Sequence, residues 1–207
     1  MRIIACIFMG RRSTNKTRNI DPERQAEWIA LLSPHFRDKG IKNFSMDDMA
    51  EVIGISKATL YKYFKSRDEI VALYITDKIA RSAGFVTRLH DETLPYIDRY
   101  KNAVAYFCQT VADTSVLLLG DLKELYPDIW LMIDQFRDYS TKILTEYYER
   151  GITEGIFNPI HTAILAAGDQ YALTILTDPD FLKKTEMTLG EAIEEYFELR
   201  ANGIIKR

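Results

Sequence analysis

The chain has 207 residues, 47% of them hydrophobic and 28% charged, which is enough apolar material for a genuine core and excludes a disordered or fibrous chain. Its net charge of −3 hides an asymmetry: residues 1–67 hold 13 Lys and Arg against 7 Asp and Glu, whereas residues 68–207 hold 14 against 23. A basic front on an acidic body predicts a polyanion partner at the front alone, and Cys6 and Cys108, far apart and without zinc-ligand spacing, point to a reducing cytoplasm.

Residues 1–9 form an apolar run too short to span a membrane. Arg2 and the apolar residues after it faintly imitate a secretory signal, but the stretch from Gly10 to Asn19 lacks a small-residue cleavage site and carries Arg11, Arg12, Lys16 and Arg18. We read residues 1–20 as a basic arm, with Met9 as an alternative start; the arm could reach phosphates or a minor groove, or be a solvated tail. Asp21-Pro22 then opens the first helix as N-cap and first helical position, with Trp28, Ile29, Leu31, Leu32 and Phe36 as its apolar stripe and Gly40 as its stop. Pro34 inside it predicts a kink or a weakened turn.

The stretch Ser45 to Phe64 predicts two short helices around a tight turn. Ser45 is a good N-cap, and Met46, Met49, Ala50 and Ile53 follow at i, i+3, i+4 and i+7. Gly54 ends the first helix, Ile55 tucks back, and Ser56 caps the second. On a helical wheel Leu60, Phe64 and Tyr61 share one side, while Ala58, Thr59, Lys62 and Tyr63 face the other, which carries no carboxylate. Two helices at a steep angle with such an outward face predict a helix-turn-helix whose second helix could enter a DNA major groove. Ser66 and Glu69 form a capping-box pattern for a further helix, predicted to reach the late 80s.

Gly54 to Ile70, Gly-Ile-Ser-Lys-Ala-Thr-Leu-Tyr-Lys-Tyr-Phe-Lys-Ser-Arg-Asp-Glu-Ile, resembles the signature of the TetR/AcrR family of bacterial transcriptional regulators. The pattern runs from near Arg24 to about Ile75, with Pro34 as a departure from it. The resemblance implies a helix-turn-helix DNA-binding domain over 21–75 and a helical ligand-binding and dimerisation domain over 76–207. By the same resemblance Lys57 and Thr59 would reach base edges, Ala58 would allow close approach, and Ser45, Tyr61, Lys62, Tyr63 and Arg67 would hold phosphates. The wheel turns Tyr61 partly inward, so its assignment rests on the family motif alone.

Beyond the connecting helix the sequence predicts helices from Tyr96 to about Asp113, a short piece between Gly120 and Pro127, one from Asp128 to Arg150 stopped by Gly151, one opened by Asn158-Pro159 and ending at Leu176, and a last one around Glu191 to Leu199. The fold class is therefore all-α, about nine helices in two units. The family resemblance implies an inducer cavity in this body, for which Tyr100, Phe107, Trp130 and Tyr139 are the chosen lining residues, and a homodimer through the last two long helices. His35, His90 and His161 are scattered, and no cofactor, metal or catalytic pattern is present: adjacent carboxylates such as Glu194 and Glu195 point about 100° apart on a helix and cannot flank one bond. The expected function is a cytoplasmic, non-enzymatic repressor that binds a two-fold DNA operator and is released by a small molecule, with no membrane partner. The alternatives are a regulator of the same fold that activates or senses no ligand, and a helical protein-interaction adaptor.

Overall fold

A computed structural model describes residues 20–205, so the arm, Ile20 excepted, and the choice between Met1 and Met9 lie outside the described residues. Eleven helices occur among them: α1 Pro22–Lys39, α2 Met46–Ile53, α3 Lys57–Tyr63, α4 Arg67–Ser82, α5 Phe85–Leu89, α6 Tyr96–Val111, α7 Val116–Leu125, α8 Pro127–Thr153, α9 Thr162–Leu176, α10 Pro179–Thr185 and α11 Leu189–Ile204. The all-α reading holds, and the number exceeds the expected nine through short pieces such as α5 and α10. Among the described residues, an isolated antiparallel bridge pairs Phe157 with Ile205. No single helix among the described residues is long and apolar enough to cross a membrane.

Two apolar cores organise the helices. In the first, Leu32 and Phe36 of α1, Met49 of α2, Leu60 and Phe64 around α3, and Ile70, Val71 and Tyr74 of α4 pack together, with Leu118, Leu122 and Ile129 joining from α7 and α8. The second gathers Phe85, Tyr100, Leu144, Tyr148, Leu173, Ile193 and Phe197 from α5, α6, α8, α9 and α11. Helix α4 contributes to the first core and continues to the edge of the second, so the basic front and the acidic body share one rigid element.

Local chemistry explains most boundaries. Asp21 caps α1 by accepting the Glu23 and Arg24 N–H groups, at 3.1 and 3.4 Å. Helix α1 runs through Pro34 to Lys39. Thr188 and Glu191 form a reciprocal capping box at the start of α11.

Other boundaries depart from the expectations. The connecting helix ends at Ser82, short of the late 80s; the chain turns through Ala83 and Gly84, and the Arg81 carbonyl accepts both the Gly84 N–H, at 2.9 Å, and the Tyr106 hydroxyl, at 3.0 Å. Gly151 does not stop α8, which continues to Thr153. A Cβ at Gly151 would lie 2.3 Å from the Phe157 ring, so this glycine makes room for a tertiary contact, and the left-handed turn falls instead at Gly155, φ +72°. Asn158-Pro159 does not open α9; Asn158 N–H is spent on the Ile204 carbonyl, and His161 Nδ1 accepts from Ala163 N–H as the N-cap of a helix beginning at Thr162. At the start of α4, Ser66 caps the Glu69 N–H as expected, but the Glu69 carboxylate takes the Lys65 N–H.

Candidate nucleic-acid interface and the body cavity

Helix α3 is presented to solvent because everything behind it is apolar and locked. Ser45 and Asp48 form a capping box that starts α2, with the carboxylate held below its usual range by hydrogen bonds from the Ser45 side chain and backbone. Gly54 takes φ +77°, ψ +32°, and donates to Ala50 and Glu51 carbonyls, while Ile55 N–H reaches back to Ala50 at 3.0 Å. This closes α2 and aims Ser56 to cap α3 through the Thr59 N–H at 3.1 Å. Leu60 and Phe64, both fully buried, pin the helix to the first core.

On the outer side Lys57, Ala58 and Lys62 are exposed. Lys57 Nζ lies 2.8 Å from Asp47 of α2, whose hydrogen bond and charge raise the ammonium above its ordinary value. Thr59 is half-buried, and its hydroxyl shares a 2.8 Å hydrogen bond with Ser56. Tyr61 and Tyr63 sit opposite to the wheel's placement. Tyr61 is 41% exposed, whereas Tyr63 is half-buried with its ring edge-on to Trp28 of α1 at 4.5 Å, and its carbonyl accepts from Gln25 at 3.0 Å. The reason is the shortness of α3: the chain is already extended at Phe64, φ −123°, so α1 packs over the last turn. Ser45 is exposed at the start of α2, and Arg67 is half-buried at the start of α4, its guanidinium 3.4 Å from the Lys42 carbonyl. Among the described residues, 20–67 hold 8 Lys and Arg against 7 Asp and Glu, so most of the positive excess of the front belongs to the arm.

One contact that the sequence reading did not single out joins this unit to the body. Asp121 of α7 is buried and accepts the backbone N–H groups of Ile41, at 2.6 Å, and Lys42, at 2.8 Å. Its oxygen comes so near the α1 terminus that a Cβ at Gly40 would lie 2.3 Å from it. A lone aspartate inside Val116-Leu-Leu-Leu-Gly-Asp-Leu122 was the available signal: a charge in an apolar helix must find donors.

The body holds a cavity of about 120 Å³. Of the expected lining residues, Tyr100 and Phe107 border it, while Trp130 and Tyr139 are not among its walls; Phe136, which lies between them on α8, is. Aromatic spacing alone does not tell which residue of an apolar helix faces a void, since every candidate has the same chemistry. Ile75 and Leu122 also line it although they belong to the first core, so the cavity reaches the seam between the two. Two bases enter its walls, Lys78 and Arg137. Burial pulls both below their ordinary values; a hydrogen bond and the charge of Asp113 oppose this at Lys78. Among the described residues no three His, Cys, Asp or Glu side chains meet as a metal ion requires.

Comparison with known proteins agrees with this geometry. Residues 35–73 match the model described as bacterial regulatory proteins, tetR family. An uncharacterised HTH-type transcriptional regulator of Bacillus subtilis, YvaF, is 27% identical over 186 residues, covering 84% of this chain and 93% of that protein. In fold the chain is similar to a transcriptional regulator from Saccharomonospora viridis crystallised with choline, with a TM-score of 0.69 at 17% identity over 90% of this chain and 100% of that one. It is also similar to the ketosteroid transcriptional regulator KstR2 of Mycobacterium tuberculosis, with a TM-score of 0.61 at 18% identity over 89% and 96% of the two chains.

Proposed function

This chain carries the DNA-binding segment of the TetR family and is a DNA-binding transcriptional regulator of that type, and from this premise we propose that it is a ligand-released repressor acting in the cytoplasm as a homodimer on a two-fold operator. The observation that carries the reading is the exposed face of α3, held from behind by Leu60 and Phe64. The proposed division is an arm over 1–20, a DNA-binding domain over 21–75 and a ligand-binding and dimerisation domain over 76–207.

In this reading Lys57 leaves Asp47 to meet a base edge, with Thr59 beside it and Ala58 permitting close approach. Ser45, Tyr61, Lys62, Tyr63 and Arg67 hold phosphates, which fix register without reading sequence. Tyr63 does so only by the edge that Trp28 leaves uncovered. The dimer is supported by the outer face of α9, where Ile164 (68% exposed), Tyr171 (73%) and Ile175 (50%) share one side with Ala167 and Gly168, and Leu199 of α11 is 73% exposed. A two-fold pair places two copies of α3 on successive major grooves. A ligand in the body cavity, proposed to be bordered by Tyr100 and Phe107 among the residues chosen from sequence, would act on α4 and through the Asp121 contact on the α1–α2 connection.

Sequencing DNA fragments selected by the purified protein tests the reading. Binding that is insensitive to salt, or the absence of an enriched two-fold site, would sink it.

A further inference from the structure

The cavity is apolar in nearly all of its walls, with Phe85, Phe136 and Leu144 among them; Lys78 and Arg137 also line it, and none of its lining residues is Asp or Glu. The acidic partners stand outside: Asp113 holds Lys78, and Asp134 holds Arg137. Each pair is lopsided. The Lys78 side chain is 10% exposed against 43% for Asp113, and Arg137 is 9% exposed against 40% for Asp134. A carboxylate leaving such a pair is rehydrated at once, whereas the cation left behind is stranded, so each pair is built to exchange its acid rather than its base. The wall also holds a spare polar group. Thr114 Oγ1, one residue from Asp113, is buried and has no hydrogen-bond partner among the described residues. Arg137 offers less, since Thr177 and Asp134 already occupy its terminal nitrogens.

We propose that the cavity binds a small amphipathic carboxylate, a ring or short acyl body with one anionic head, and that this head replaces Asp113 on Lys78 with Thr114 as its second donor. The proposal rests on the reading of the cavity as the effector site. The volume of about 120 Å³ is on the order of the ~150 Å³ apolar cavity that accommodates benzene, which limits the body to a ring or a short chain. The exchange also carries a signal. Asp113 accepts from Ser33 of α1 at 3.4 Å, and Ser33 shares a 3.2 Å hydrogen bond with Tyr74 of α4. When the ligand takes Lys78, the end of α6 loses the charge that holds Asp113 in place, and its tie to α1 loosens. An ammonium head would meet two cations with no lining carboxylate, and a neutral head would leave Asp113 where it is.

The full chain is titrated calorimetrically with octanoate, 1-octanol and octylammonium, and with benzoate, benzyl alcohol and benzylammonium. The proteins compared are the natural sequence, Lys78→Met, Lys78→Arg and Asp113→Asn. At least one carboxylate is expected to bind about tenfold more tightly than its alcohol, about 1.4 kcal/mol, with the ammonium weakest. The preference should vanish in Lys78→Met, persist in Lys78→Arg, and grow several-fold in Asp113→Asn, where the resident competitor is weakened. Acid and alcohol binding equally, or a preference that survives Lys78→Met, overturns the proposal while leaving the cavity an effector site. Should Lys78→Met fail to fold, unchanged carboxylate affinity in Asp113→Asn overturns it as well. Binding of none of the six probes overturns the effector reading itself.

Discussion

The two cores are built on opposite plans. Around α1 to α4, Leu32, Phe36, Ile41, Met49, Leu60, Phe64, Ile70 and Val71 are all fully buried, and apolar side chains meet apolar side chains. Around α6, α8, α9 and α11, with the end of α4, the apolar residues are interrupted by a cavity and by buried groups that need partners, among them Lys78, Arg137, Ser140 and Asp169. Dense packing resists deformation, whereas a core with a void and exchangeable ion pairs has more than one arrangement of similar energy. The first suits a surface that must present α3 in one geometry, the second a chamber that responds to what fills it.

The largest effect that could break this contrast is a truncation in each core. Phe36→Ala should cost about 3–5 kcal/mol in denaturant unfolding, because a tightly packed site cannot collapse around the lost ring. Phe107→Ala, half-buried and already bordering the void, should cost clearly less, and equal losses would mean that the two cores do not differ in packing. Next comes the contact between the regions. Asp121→Ala strands the Ile41 and Lys42 N–H groups and should cost about 2–4 kcal/mol by the same measurement, more than Asp121→Asn, which can still accept.

On the reading surface, Lys57→Ala should lower discrimination between operator and random DNA by about 1–3 kcal/mol. Arg67→Ala should instead weaken both and reduce the salt slope by about one. Equal losses on operator and random DNA in both variants would remove the division between reading and holding. Asp47→Asn, which frees Lys57, should strengthen binding to any DNA at low salt. The smallest effect is at the caps, one in each region. The carboxyls of Asp48 and Glu191 are both held below their ordinary range, Asp48 by the Ser45 side chain and backbone, Glu191 by the Thr188 backbone and side chain. Their stabilisation is present above the unfolded-state value and lost as pH falls through the lower folded-state value. Asp48→Asn should therefore flatten the acid limb of the unfolding profile slightly, and an unchanged limb would show that the cap does not contribute.

The helix-turn-helix was legible because its signals are short-range. Ser45, Gly54, Ser56 and the spacing of Met46, Met49, Leu60 and Phe64 act within one or two turns, and a seventeen-residue motif carried the resemblance. The same reasoning failed where a local signal served a distant contact. Gly151 looked like a stop and is a seat for the Phe157 ring; Asn158-Pro159 looked like a helix start and pairs with Ile204. Tyr61 and Tyr63 exchanged places because Trp28, more than thirty residues earlier in the chain, covers the end of α3.

What the sequence alone determined is thus the helical class and the order of the main helices, since periodicity and capping depend on near neighbours and on burying one face. Only the tertiary structure decided which aromatics of α6 and α8 border the cavity, that Asp121 bridges the two regions, and that Lys78 enters an apolar chamber with its acid on the outside. Those facts depend on which helix faces which, and residues 35 or 80 positions apart carry no mark in the sequence of having met.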